Sequence, residues 1–282
     1  MRRLVLTLSC PDRIGIVAAV STFLLQHRCN IVDSAQFGDA ANKHFFMRVC
    51  FDAEDAVTVA QLTNAFTPVA ETFAMQQKLY DTAIKPRVAI LVSRFGHCLN
   101  DLLYRFRVGV LPIDIPAIVS NHRDFEQLAA AHRIPYFHLP VDPGSHAPQE
   151  DRLREIIDAE RCDLVVLARY MRILSPALCR HLRERAINIH HSFLPSFQGA
   201  RPYQQAHARG VKLIGATAHY VTEELDDGPI IEQDVARVSH AMSVEDYAEV
   251  GRDVECAVLA RAVKWHVEHR VLLNGARTVV FA

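Results

Sequence analysis

Two uninterrupted apolar stretches, VAILV at Val88–Val92 and LVVLA at Leu164–Ala168, set the strongest limit on how this chain can fold. A strand that is apolar at every residue has to be covered on both faces, and a parallel sheet achieves that with crossover helices. The surrounding pattern agrees. RVAILVS leads to a helical stretch at Cys98–Phe106, and IPAIVSN leads to one around Phe125–His132. YFHLPV runs into a loop with Pro143 and Gly144, then a helix through Leu153–Ile157, then DLVVLA. The spacing predicts a Rossmann-like, mostly parallel α/β sheet, whose ligands bind at the carboxyl ends of the strands. A long last helix is expected from Val244 to about Val271.

The first stretch of chain follows another order. Strands are expected at Leu4–Ser9, in NIVDSAQF, in HFFMRVCF and in MQQKLYD, with helices at Ile14–Leu25 and Val59–Phe73. That is βαββαβ, the ferredoxin-like split unit. It leaves one sheet face bare, so pairing with a second copy is expected. The division is 1–82 for this domain, 83–87 around Pro86 for the linker, and 88–282 for the α/β domain.

Composition narrows the partners. Half the residues are hydrophobic, enough for a core without disulfides or metals, and the formal net charge is −1. Such a chain exerts no strong pull on nucleic acid or on an anionic membrane. The apolar run in MRRLVLTLSCPDR is too short for a signal peptide or a membrane span, so a cytoplasmic location is expected. Seven scattered cysteines without a Cys-x-x-Cys pair read as packing thiols in a reducing compartment. His190-His191 is the only histidine cluster and lacks the spacing of a metal motif, so no metal site is expected.

Chemistry concentrates in two segments. In INIHHSFLPSFQGARPY (Ile187–Tyr203), strand alternation puts Asn188 and His190 on one face and Ile187 and Ile189 in the core. An amide can donate to a developing oxyanion, and an imidazole can donate or move a proton. Asn-x-His by itself is equally a capped strand end. By parity His191 points away from His190, into a supporting or purely structural place. In GATAHYVTEELDDGPII (Gly215–Ile231), a strand ending at His219 or Tyr220 enters an acidic loop that closes on Gly228-Pro229. Acidic residues before glycine are often turn formers. A carboxylate such as Asp226 beside a histidine is also what activates water. Asp227 and His219 are weaker candidates, and His97 either faces the site's edge or caps the next helix.

Taken in order, Asn-x-His, Ser-Phe-Leu-Pro, Phe-x-Gly-Ala and Asp-x-Gly-Pro-Ile-Ile resemble the folate-dependent formyltransferase family. LARYMRILSP (Leu167–Pro176) looks like its pteridine-binding stretch. HHSFLP, HCLNDLLYR and GARPYQQAHARG are similar to the formyltetrahydrofolate deformylase branch, and CPDRIGIVAAVSTFLLQHRCNIVDS resembles that branch's ACT regulatory domain. The resemblance covers nearly the whole chain. It implies hydrolysis of 10-formyltetrahydrofolate to tetrahydrofolate and formate, with no cofactor because the folate is the substrate. Asn188, His190 and Asp226 match the catalytic asparagine, histidine and aspartate. Asp226 would deprotonate water directly or through His190, and Asn188 and His190 would stabilise the oxyanion. The division of acid and base between His190 and Asp226 stays open. Backbone from Arg172 to Leu174 would bind the pteridine, with Leu167 and Met171 lining its slot; plain core is the alternative for Leu167 and Met171. In the ACT-like domain, Asp12, Gly15 and Asn30 would bind a small amino acid, glycine or methionine, in a homo-oligomer.

Two other functions compete. Formyl transfer to a phosphorylated amine needs a glycine-rich phosphate cradle after the first strand of the α/β domain. SRFGHCLND offers only Gly96 there, beside the bulky Arg94-Phe95 pair. Transfer to a transfer RNA calls for a further RNA-binding domain and basic charge, and neither is evident in this sequence. A non-catalytic folate or amino-acid sensor would be marked by loss of Asn188, His190 or Asp226, and all three are present. Water is the expected acceptor.

Overall fold

Alternating leucines at Leu4, Leu6 and Leu8 give β1 (Arg2–Pro11) one apolar face, and two helices settle on it. The computed structural model describes residues 1–140, 146–195 and 202–282, without the side chains of His146 and Ala147. Pro143, Gly144 and the Phe-x-Gly-Ala motif at 197–200 therefore lie outside the described residues. After β1 come α1 (Ile16–Gln26), β2 (Asn30–Asp39), β3 (His44–Ala53), α2 (Val59–Phe73) and β4 (Gln76–Asp81). The antiparallel order β2-β3-β1-β4 is the ferredoxin-like arrangement expected from the sequence. Val20, Phe23 and Leu24 of α1 and Leu62 and Phe66 of α2 bury against the leucine face. Thr58 and Gln61 start α2 with a reciprocal capping box.

The chain divides into Met1–Lys85 with Glu268–Ala282, and Pro86–Val267. This corrects the expected extent of the second domain, 88–282: the last fifteen residues belong to the first unit. The last long helix, α8 (Val244–Val267), stops short of Val271 for the same reason. A hairpin of β12 (Val271–Asn274) and β13 (Arg277–Val280) supplies partners that unit lacks. Asn274 Nδ2 and an Arg277 guanidinium N–H donate to the buried Asp39 Oδ2 at 2.7 and 2.9 Å. Buried Arg48 donates to the Glu268 carbonyl at 3.1 Å, and His269 stacks on Tyr80 with ring centres 3.5 Å apart. A buried carboxylate and a buried guanidinium both need such partners.

The second unit contains β5 (Arg87–Val92), α3 (His97–Arg107), β6 (Asp114–Ser120), α4 (Glu126–Ala131), β7 (Tyr136–His138), α5 (His146–Ala159), β8 (Leu164–Leu167), α6 (Pro176–His181), β9 (Ala186–His190), α7 (Pro202–Ala208), β10 (Leu213–Tyr220) and β11 (Ile230–Arg237), followed by α8. Its seven strands lie in the order β11-β10-β9-β8-β5-β6-β7. Pairs from β7 through β9 are parallel, whereas β10 runs antiparallel to both β9 and β11. The expected parallel sheet is present, with an antiparallel edge added. The apolar runs form its centre, with Ala89, Ile90, Leu91, Val165 and Val166 fully buried. α8 packs across β9, β10 and β11. All seven cysteines are free. Among the described residues no helix is long and apolar enough to cross a membrane.

Candidate active site

The site grows from the pairing of β9 with β10. Ile187 and Ile189 are buried in the sheet core, so Asn188 and His190 share the other face, as alternation predicts. The antiparallel register sets Thr217 opposite His190 and His219 opposite Asn188. His219 thereby joins the pair: Asn188 Nδ2 lies 3.3 Å from His219 Nε2. A register shift between Ala218 and His219 on the β11 side loosens the strand end here.

The loop after β10 carries the third expected residue back over the strand. Tyr220 N–H donates to the Pro229 carbonyl at 3.0 Å, which closes the loop. Gly228 makes that return possible, because a Cβ there would sit 1.7 Å from the Tyr220 carbonyl oxygen. Asp226 adopts φ 55°, a left-handed conformation that aspartate tolerates better than most residues. Its Oδ2 lies 3.2 Å from His190 Nδ1, and its Oδ1 lies 3.6 Å from His219 Nε2 and 3.5 Å from Asn188 Nδ2. Asn188, His190 and Asp226 are thus brought together, with His219 as a fourth member.

Burial pushes the Asp226 carboxyl up, but the imidazoles of His190 and His219 beside it outweigh that, and its pKa falls well below the carboxylate range. An ionised Asp226 only accepts, so His190 donates from Nδ1, and its Nε2 is buried with no hydrogen-bond partner among the described residues. His219 Nδ1 donates to the Tyr220 carbonyl at 2.9 Å, which turns its Nε2 toward Asn188 and Asp226.

Asn188, His190 and Asp226 line a cleft of about 520 Å³, and so do Leu167, Met171, Arg172 and Leu174. That volume suits a small organic ligand. Leu167 and Leu174 are almost fully buried, which suits the core reading as well, whereas Met171 is 54% exposed and is no core residue. Ser93 Oγ at the end of β5 accepts the Met171 N–H at 3.0 Å and ties this wall to the sheet.

The remaining candidates fall in different places. His191 lies just past the end of β9, where strand alternation no longer governs; it lines the cleft instead of turning away from it. Its ring meets Tyr203 edge-on at 5.9 Å, and burial with the nearby Arg169 charge pulls its pKa down to about 3. His97 begins α3 and bonds Glu255 at 2.9 Å, while Asp227 is exposed. Asn30 does not share a spot with Asp12 and Gly15. Pro11 pairs with His44 but Asn30 pairs with Asp52, eight residues along β3, a separation of about 27 Å at strand rise. Within one chain these three residues form no single pocket.

Sequence reasoning missed Arg169, Tyr203 and Glu255. Glu255 was detectable: it shares the buried stripe of α8 with Gly251 and Leu259, four residues either side, where an acid needs a reason. Among the described residues, His97, Cys98 and Glu255 are the only group with metal-ligand spacing. That carboxylate is already taken by His97, Tyr203 and Arg169.

A family model described as formyl transferase matches residues 86–263, and an ACT domain model matches residues 4–66. A formyltetrahydrofolate deformylase of Corynebacterium sp. is 48% identical over 279 residues, spanning 99% of this chain and 98% of the relative. The chain belongs to the formyltetrahydrofolate deformylase family. A solved deformylase structure from Burkholderia mallei matches with TM-score 0.95 at 53% identity, each chain covered in full. A glycinamide ribonucleotide transformylase from Symbiobacterium toebii gives TM-score 0.68 at 29% identity over 73% of this chain and 98% of that one. The deformylases match both units, and the transformylase covers a smaller share of the chain.

Proposed function

We propose that this chain hydrolyses 10-formyltetrahydrofolate to tetrahydrofolate and formate. The observation that carries the reading is an ionised Asp226 held against His190, His219 and Asn188 in the wall of a ligand-sized cleft. The full-length likeness to deformylases supports it over formyl transfer. In this reading the folate lies along Leu167, Met171 and the Arg172–Leu174 backbone, with its formyl carbon beside Asn188 and His190. Asp226 takes a proton from water as the water oxygen bonds to the formyl carbon. Asn188 Nδ2 donates to the resulting oxyanion. A proton passes through His190 to the departing nitrogen, the carbon–nitrogen bond breaks, and formate leaves with the water oxygen.

Formate release from 10-formyltetrahydrofolate by the purified protein tests this, with Asp226→Asn as the control. The carboxamide keeps the size but cannot take the proton, so turnover should vanish while folate binding stays within a few-fold of normal. Full activity in that variant would remove Asp226 from the mechanism.

The ACT unit is assigned a small amino-acid effector, glycine or methionine, at Asp12–Gly15, where the N-terminus of α1 suits a carboxylate. Because Asn30 lies at the far end of the same sheet, its part in such a site requires a second copy of the chain, which fits a homo-oligomer. Calorimetry with each amino acid decides this, and no heat with either would leave the unit as a pairing module.

A further inference from the structure

A buried ionic cluster centred on Glu255 reaches the cleft through Arg169, and the reaction as described uses none of it. Glu255, 1% exposed on α8, accepts His97 Nε2–H at 2.9 Å and the Tyr203 hydroxyl at 2.5 Å. Arg169 Nε lies 3.3 Å from the same carboxylate, an ion-pair distance, although its N–H is not aimed well enough for a hydrogen bond. Burial opposes the charge on Glu255, yet His97, Arg169 and Tyr203 outweigh it and keep the carboxyl below its usual range. Gly251, one turn earlier on α8, leaves room for Tyr203: a Cβ there would be 2.2 Å from the hydroxyl oxygen. Arg169 is held at φ 65°, a left-handed conformation that costs an arginine, with its guanidinium over the Phe95 ring at 5.6 Å.

Buried ion clusters and strained residues persist where the surroundings impose them, and they gather at functional sites. Arg169 and His191 line the cleft, whereas Glu255, His97 and Tyr203 are not among its lining residues. Arg169 and His191 are therefore the wall between cleft and cluster. Glu255 braces Arg169 directly and braces His191 through Tyr203.

We propose that Arg169 and His191, braced by Glu255, close the formyl end of the cleft to acceptors larger than water and so decide hydrolysis over transfer. This rests on the hydrolytic reading. With an amine acceptor, nitrogen would bond to the formyl carbon, lose a proton and displace the folate nitrogen. With the wall in place only a water oxygen reaches that carbon.

The test supplies the full-length protein with 10-formyltetrahydrofolate and glycinamide, and quantifies formate and formylated glycinamide. Arg169→Gly opens the wall where the left-handed backbone suits glycine, and pairing it with Glu255→Gln leaves no lone buried charge. His191→Ala opens the same wall without touching a buried ion pair. The parent should yield formate with or without glycinamide. The double variant should raise the ratio of formylated amine to formate by about tenfold or more, and His191→Ala should move it the same way. An unchanged ratio in the folded variants, or a parent that formylates glycinamide as readily as they do, would overturn the wall. Should the double variant fail to fold by circular dichroism, the ratio for His191→Ala decides. A parent that releases no formate at all would instead refute the hydrolytic reading, so the two failures are distinguishable.

Discussion

Adding one methyl group at Gly228 should disable the site without substituting any residue assigned to the chemistry. A Cβ there would lie 1.7 Å from the Tyr220 carbonyl oxygen, and real Cβ atoms essentially never approach closer than 3.0 Å, so the two must part by at least 3.0 − 1.7 = 1.3 Å. Tyr220 pairs with β9, and its carbonyl also accepts the His219 Nδ1 proton. The strand is anchored, so the loop has to move, and Asp226 is two residues away on it. If the whole shift fell along its contacts, the distance to His190 would become 3.2 + 1.3 = 4.5 Å and that to His219 3.6 + 1.3 = 4.9 Å. Misplacing a catalytic group by about 1 Å can cost about a hundredfold in rate. Gly228→Ala should therefore lower kcat for formate release by about a hundredfold. KM should change less than kcat, because the expected folate slot is built by Leu167, Met171 and the Arg172–Leu174 backbone, which are not on this loop. Released from its histidines, Asp226 should also titrate nearer the ordinary carboxylate range, moving the acid limb of the rate profile upward. Steady-state formate assays across pH, with circular dichroism as a folding control, measure all three effects. A folded Gly228→Ala protein with the parent kcat would show that the loop need not hold Asp226 where the structure puts it.

Other expectations follow from the same geometry. Asn188→Ala should lose about a hundredfold in kcat, the usual scale for one oxyanion donor; a weaker folate affinity with an unchanged rate would make Asn188 a binding residue only. His191 falls from 6.5 to about 3 in the folded protein, so as pH drops through that window the unfolded chain takes up a proton that the folded state refuses. That part of the stability is present above the unfolded value and is lost on acidification. The urea midpoint of His191→Gln should accordingly fall less than the parent's between about pH 7.5 and about pH 5, and equal slopes would contradict the assigned burial. A polypeptide of residues 86–267 should fold and release formate, whereas removal of residues 268–282 from the full chain should lower the melting temperature of the first unit. A folded 86–267 fragment without activity would mean that the first unit helps to build the site.

Much of this was readable before the structure, and the exceptions have physical causes. VAILV and LVVLA announced the buried centre of the sheet because burial on both faces leaves no polar position. Asn188, His190 and Asp226 were visible because strand alternation and a closing Gly-Pro turn are local signals. His219 drew little weight because its partner is Asn188 on another strand, and register is not written within a single segment. Arg169 and Glu255 meet across a long stretch of chain, so neither one's neighbours in sequence reveal the pair. The hairpin at β12 and β13 consists of two four-residue strands, too short for a periodicity to stand out. The grouping of Asn30 with Asp12 was a topological error. In a β-α-β connection the second strand begins where the first began, so a residue opening β2 cannot lie beside one closing β1.

The C-terminal hairpin also sets an order of events during synthesis. Domains generally fold as units while the chain emerges, the N-terminal one first. Here the first 85 residues leave the ribosome with Asp39 and Arg48 still lacking the partners carried by residues 268–282. The α/β unit, contiguous from Pro86 to Val267, can close first. The unit made earliest is completed last, and only on a chain that has been translated to the end of α8 and beyond.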